Sequence, residues 1–237
     1  MTRAGRGMML LAIALAVGRM TWNGTFGNFV QQHMRWPLAI AAVCVFVLGV
    51  VDIVGWARTE ADDDPSVAPS VGILMVLPIA VLIAVAPAAL GSAALDRVDP
   101  FEPTEPDDDA WVLPDDDLLD MRVIDFVNQA LYDDEQHLEG RSVVLEGLAV
   151  NDDEFPDGFL LVRFLVSCCA ADGIPVIVAL RDAPQQLEDD TWVRATVTWI
   201  PPDIPYFDPD GPLYIEAEIE SLEVIPDPPL SPYESPF

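Results

Sequence analysis

Lysine is absent from the 237 residues, and histidine and cysteine are scarce, at two and three. Positive charge therefore rests on eleven arginines against forty acidic residues, a formal net charge of −29. Gripping a nucleic-acid strand takes a basic groove, because phosphate neutralisation supplies most of the affinity. This balance excludes nucleic acid as a partner. Also missing are a Ser/His/Asp set, an HExxH pair, a Walker loop and a dinucleotide-binding glycine pattern, so no residue is a candidate for catalysis. No stretch carries the alternating carboxylates of an EF-hand loop.

What is abundant is apolar: 51% of residues are hydrophobic and the mean hydropathy is +0.31. The excess lies in the first hundred residues, whereas most acidic residues follow Asp96. Pro37 to Trp56 is about as long as a bilayer core requires and holds one charge, Asp52. Val71 to Leu95 is uncharged, and Pro78 and Pro87 are tolerable in a membrane helix whose neighbours satisfy the freed carbonyls. A third span, residues 8–30, is expected if the run "MMLLAIALAV" continues past Arg19 toward Trp22, Phe26 and Phe29 at the interface. The small-x-small candidate Ala14–Ala16 leaves too short a core for a cleaved signal. Arg3, Arg6 and Arg58 place the N-terminus in the cytoplasm, so three spans would put everything after Leu95 outside. Asp52 and His33 are open as cation contacts or headgroup neighbours, and Cys44 reads as a small helix-packing residue.

Residues 96–114 form an acidic, proline-rich tether. After it, Asp115–Asp117 are N-cap candidates for an amphipathic helix with Leu118, Met121, Ile124, Val127 and Leu131 on one face. Five β-rich runs follow, from "LEGRSVVLEGLAV", where Gly147 suggests a bulge, to "LYIEAEIESLEVI". The expected fold of residues 115–237 is an OB-like five-stranded barrel with one preceding helix. Trp192, Trp199 and Tyr206 read as its core and rim aromatics rather than a stacking platform. The acidic clusters read chiefly as solvation.

Cys168 and Cys169 share one peptide bond. Adjacent Cα atoms lie about 3.8 Å apart, too close for an unstrained disulfide. Two thiolates with Asp172 in the turn "CCAADG" could instead hold a soft or borderline cation such as zinc, with further ligands from elsewhere. His137 is a ready donor that nothing in the sequence brings close. Simple packing of the cysteines, and a redox cycle between them, remain alternatives.

The succession "VQQHMRWPL", "LPIAVLIAVAPAALGSAAL", "FLLVRFLVSCCAADGIPV" and "LEVIPDPPLSPYE" resembles the YcgQ-like permease-subunit family over nearly the whole chain. Its most specific part is the block Arg163, Phe164, Cys168, Cys169, Ala170, Ala171 and Asp172, then Pro175; the family usually has alanine where Gly173 stands here. The resemblance implies a multi-pass protein of the cell membrane, with a C-terminal domain of unknown function, working beside a multi-span YcgR-like permease in the bilayer. The expected role is that of an accessory transport subunit without enzymatic chemistry, its exported domain binding or gating a cation. A membrane-anchored thiol-redox protein and an envelope scaffold are the alternatives.

Overall fold

The computed structural model describes residues 3–58, 89–97, 113, 114, 116, 118–153, 155–204, 206, 214–226 and 231–236. They form two units, Met1–Ala89 and Leu90–Phe237.

In the first unit α1 (Arg3–Asn23) and α2 (Arg35–Arg58) pack as an antiparallel hairpin, with Arg6 on Asp52 and Leu11 on Gly49. Small residues make the seam. A side chain at Gly7 would meet Ile53 and the Gly49 carbonyl, and Ala14 and Ala42 are buried. Such residues let helix backbones approach closely. Pro37 falls in the first turn of α2, where its missing N–H has no helical acceptor to lose.

Among the described residues one helical stretch, Gln32–Arg58, is long and apolar enough to cross a membrane, not three. By length and composition it is a membrane span or a signal segment. The expected span 8–30 is not one helix. Gly24 turns left-handed at φ 80, and a 3₁₀ turn, Thr25–Asn28, follows. Phe26 is buried within that turn rather than standing at an interface. Among the described residues Cys44 is exposed on α2. Of the expected span 71–95, residues 71–88 lie outside the described residues, and Ser92–Arg97 is a 3₁₀ helix belonging to the second unit.

The second unit is a closed five-stranded barrel with two extra strands and a preceding helix. The strands are β1 (Leu118–Asp120), β2 (Ser142–Val150), β3 (Phe159–Leu165), β4 (Ile174–Arg181), β5 (Thr191–Ile200), β6 (Ile215–Val224) and β7 (Tyr233–Glu234). The order β2-β5-β6-β4-β3 closes through a β2–β3 pairing, with β4 and β6 parallel. All five expected strands form. β1 and β7, both parallel additions, extend β2 and β3 where the barrel seam opens.

Gly147 is not a bulge: β2 pairs with β5 straight through it. It sits where β2 turns from β5 to β3, and a Cβ there would lie 2.9 Å from the Val162 carbonyl. The irregularity falls between β5 and β6, where Glu220 is the extra residue. Its carboxylate accepts from Thr198 and Ser142.

The expected helix is shorter and begins later, as α3 (Val123–Tyr132), because Leu118–Asp120 is drawn into the sheet. Of the expected caps Asp115–Asp117, residues 115 and 117 lie outside the described residues, and the helix starts only at Val123. The carboxylate of Glu234 caps it, accepting from the amides of Val123 at 3.0 Å and Ile124 at 3.2 Å. Val123, Phe126 and Val127 of α3 join Leu145, Leu161, Val178 and Val197 of the strands in one core. Trp199 belongs to that core, and its indole N–H reaches Tyr206 at 3.3 Å, as expected of barrel aromatics.

Candidate metal centre

β3 ends at Leu165, Val166 donates to the Glu234 carbonyl, and the chain then reverses through Ser167–Gly173 into β4. The reversal is built around Asp172, the third residue of a 3₁₀ turn, Ala170–Asp172. One carboxylate oxygen accepts from the Ser167 amide at 3.0 Å. The other takes the Cys168 amide at 3.0 Å, the Cys168 thiol at 3.2 Å and, at 3.5 Å, the Cys169 amide. The Asp172 amide returns the contact to the Cys169 side chain, closing a capping box in which a thiol takes the usual hydroxyl's place.

Adjacent residues of a straight strand point to opposite faces. Here the turn overrides that rule, and the Cys168 Sγ, the Cys169 Sγ and an Asp172 carboxylate oxygen all lie within 4.8 Å of one another. Cys168 is exposed, Cys169 partly so, and both are free thiols.

The charges follow from the hydrogen bonds. Burial pushes the Asp172 carboxyl up, but the amides of Cys168, Ser167 and Cys169 with the Cys168 thiol outweigh it and hold the group below the usual carboxylate range. Its contact with that carboxylate, together with the neighbouring Cys169 thiol, pushes the Cys168 thiol up to about 11. At neutral pH the resting turn therefore holds a protonated Cys168 donating to an ionised Asp172. A cation would have to displace that proton, as thiolate ligands require.

His137 is not in this group. Its Nδ1 sits 3.0 Å from Asp133 and its Nε2 3.3 Å from Glu135, in the turn after α3. Asp133 is held low despite burial, by Gln129 and by the backbone and ring of His137. His33 lies in a 3₁₀ turn, Gln32–Met34, of the helical unit, where Asp52 is paired with Arg6.

Residues 119–228 match the DUF1980 C-terminal domain. No curated protein and no solved structure matches the chain. The matched DUF1980 segment runs from β1 to just past β6 and contains the whole cysteine turn, whereas Tyr233 and Glu234 fall beyond it.

Those two residues, and the pairing of Arg163 with Glu234, are what sequence reasoning missed. Arg163 is 8% exposed, its guanidinium 4.8 Å over the Trp192 ring, with its Nη2 donating to the Ser231 carbonyl at 3.3 Å. Its Nε is 3.5 Å from Glu234, which is equally buried, and among the described residues Nε and Nη1 have no hydrogen-bond partner. Burial dominates both groups, lowering the Arg163 pKa and raising that of Glu234 against their mutual attraction. Nothing in local spacing connects positions 71 residues apart; the signal, a charged residue inside the apolar run "FLLVRFLV", says only that a partner is needed.

Proposed function

We propose that this chain is a membrane-anchored accessory subunit of a transport system whose DUF1980 barrel domain binds a soft or borderline divalent cation, zinc foremost, through Cys168, Cys169 and Asp172. The observation that carries it is the convergence of two thiols and a carboxylate within 4.8 Å on one exposed turn. Zinc takes sulfur and carboxylate oxygen in tetrahedral sets, and three donors leave one position for a further ligand. The task is binding or gating, with no covalent chemistry. The redox alternative is weaker because adjacent Cα atoms about 3.8 Å apart strain the disulfide it needs.

The membrane placement rests on α2 and its apolar exterior, with Val43, Phe46, Val47 and Val51 all exposed. The hairpin brings Arg6 beside the C-terminal end of α2, close in sequence to Arg58, so the positive-inside bias acts on one face. Residues 71–88 number eighteen, within the range that can cross a bilayer as a helix. If they cross, the barrel is exported. The multi-span permease partner is carried by the YcgQ-like resemblance alone. Copurification with such a permease tests it, and a reporter fused after Phe237 that is active only in the cytosol sinks the exported placement.

Cation binding is tested on the full chain in detergent by titration with zinc and with cobalt(II). The expected result is one equivalent bound, with a sulfur-to-cobalt charge-transfer band that Cys168→Ser and Cys169→Ser each weaken or remove. Equal affinity in wild type and the double serine variant ends the metal reading.

A further inference from the structure

The residues leading into the barrel dock beside the cysteine turn. The Leu90 amide donates to the Tyr233 hydroxyl at 3.0 Å. Ser92 gives its amide and its hydroxyl to the two carboxylate oxygens of Asp190, at 2.5 and 3.0 Å. Gly91 is so close to that carboxylate that a Cβ would stand 2.6 Å from it. The Leu90 side chain lies on the open face of Gly173, where a Cβ would meet its Cδ1 at 2.4 Å. Ser92, Ala93 and Leu95 line a cleft with Leu160, Pro175 and Ile177 of β3 and β4. The segment thus rests on the strands that flank the turn and on the residue that ends it.

We propose that Leu90–Arg97 reads the state of the cysteine turn: it is docked while Asp172 caps the turn, and it loosens when a cation takes Cys168, Cys169 and Asp172. The inference rests on the cation reading above. Coordination releases the Cys168 proton to solvent and turns an Asp172 oxygen from the Cys168 and Cys169 amides toward the ion. Those amides lose their acceptor, so the turn re-forms, and Gly173 at its end is packed so closely under Leu90 that a shift toward it displaces that side chain. The residues immediately before Leu90 in the sequence are the apolar stretch from Val71, which the membrane reading above takes as a span. Coupling of this kind is reciprocal: whatever loosens the segment favours the cation by the same factor.

The test uses the full chain in detergent, with zinc as the probe. Hydrogen exchange at the amides of Leu90, Ser92 and Ala94 is followed with and without saturating zinc, and zinc affinity is measured in Leu90→Ala and in Asp190→Asn. Asparagine tolerates the left-handed backbone of position 190, at φ 64, while removing the charge that holds Ser92. Expected are faster exchange on zinc addition and, in both variants, zinc binding about fivefold tighter or more. Zinc bound with exchange unchanged, or with both variants at wild-type affinity, overturns the coupling and leaves the cation site standing. No zinc bound by the wild-type chain overturns both.

Discussion

Valine fills both halves of the molecule and behaves oppositely in them. In α2, Val43 and Val51 are 63% and 61% exposed; in the barrel, Val143, Val162, Val178 and Val197 are fully buried. The hairpin hides its small residues and turns large apolar ones outward, while the barrel hides large ones and turns carboxylates outward. Water alone cannot account for both, since contiguous apolar surface on this scale marks a binding or membrane face. On the reading proposed above, the hairpin is solvated by lipid and the barrel by water. Close ion pairs occur in both: Arg6 and Asp52 meet bidentately at 2.5 and 2.6 Å in the hairpin, as Arg181 and Glu216 do at 2.5 and 2.8 Å on the barrel. The buried barrel pair differs, since Arg163 and Glu234 approach no closer than 3.5 Å and Glu234 serves the helix instead.

The sharpest way to separate the two regions is to remove Glu234. Glu234→Ala uncaps α3 and leaves the Arg163 cation buried without a counter-charge, a loss of about 3–5 kcal/mol by analogy with other broken buried pairs. Exchange of the β3 amides in the full chain reads it, and Arg6→Ala should leave those amides unchanged. A double Arg163→Met, Glu234→Met variant should recover much of the loss, because the desolvation of both charges disappears together. If Glu234→Ala exchanges as slowly as wild type, the pair and the cap carry no weight.

Second in size is a charge on the outer face of α2. Val47→Asp, near the helix centre, should cost about 2.5–3.5 kcal/mol of membrane insertion without touching the barrel. The membrane-bound fraction after carbonate washing measures it. Full retention in the membrane would mean that this face is covered by protein or water.

How much of this was legible in the sequence follows the range of the interactions. β2 to β6 announce themselves because alternation and β-branched residues act over a few positions. β3 is legible as an apolar run despite Arg163, and only the structure shows that all seven of its residues are buried. α2 is legible from length and hydropathy. The cysteine turn is legible too, since "CCAADG" contains both the reversal and the three donor side chains it gathers. What local pattern cannot hold is partnership at a distance. β1 and β7 are three and two residues long and exist only through β2 and β3. The start of α3 is not marked by any nearby residue, because its cap lies 111 residues downstream. Gly147 offers the same sequence for a bulge and for a close approach, and only the crossing of β3 decides between them. The docking of Leu90 was hidden because an apolar run has the same composition whether it continues into lipid or turns onto a barrel.

The cysteines provide the finest comparison, because Cys44 and Cys168 are both exposed yet stand in the two different regions. On the membrane reading, Cys44 faces acyl chains and a charged thiol reagent added to vesicles should not reach it. Cys168 should react slowly at neutral pH. Its thiolate fraction grows about tenfold per pH unit until pH approaches its value of about 11, and the alkylation rate should follow. The sign is fixed by the anion: a raised thiol pKa withholds the nucleophile below it and releases it above. Cys44→Ala with Cys169→Ser isolates Cys168 for the measurement, and Asp172, the larger cause of the shift, remains in place. Asp172→Asn should then quicken alkylation at neutral pH, since the charge that opposes thiolate formation is gone. Rapid labelling of Cys44 in vesicles would break the contrast from the hairpin side, and a pH-independent rate at Cys168 would break it from the barrel side.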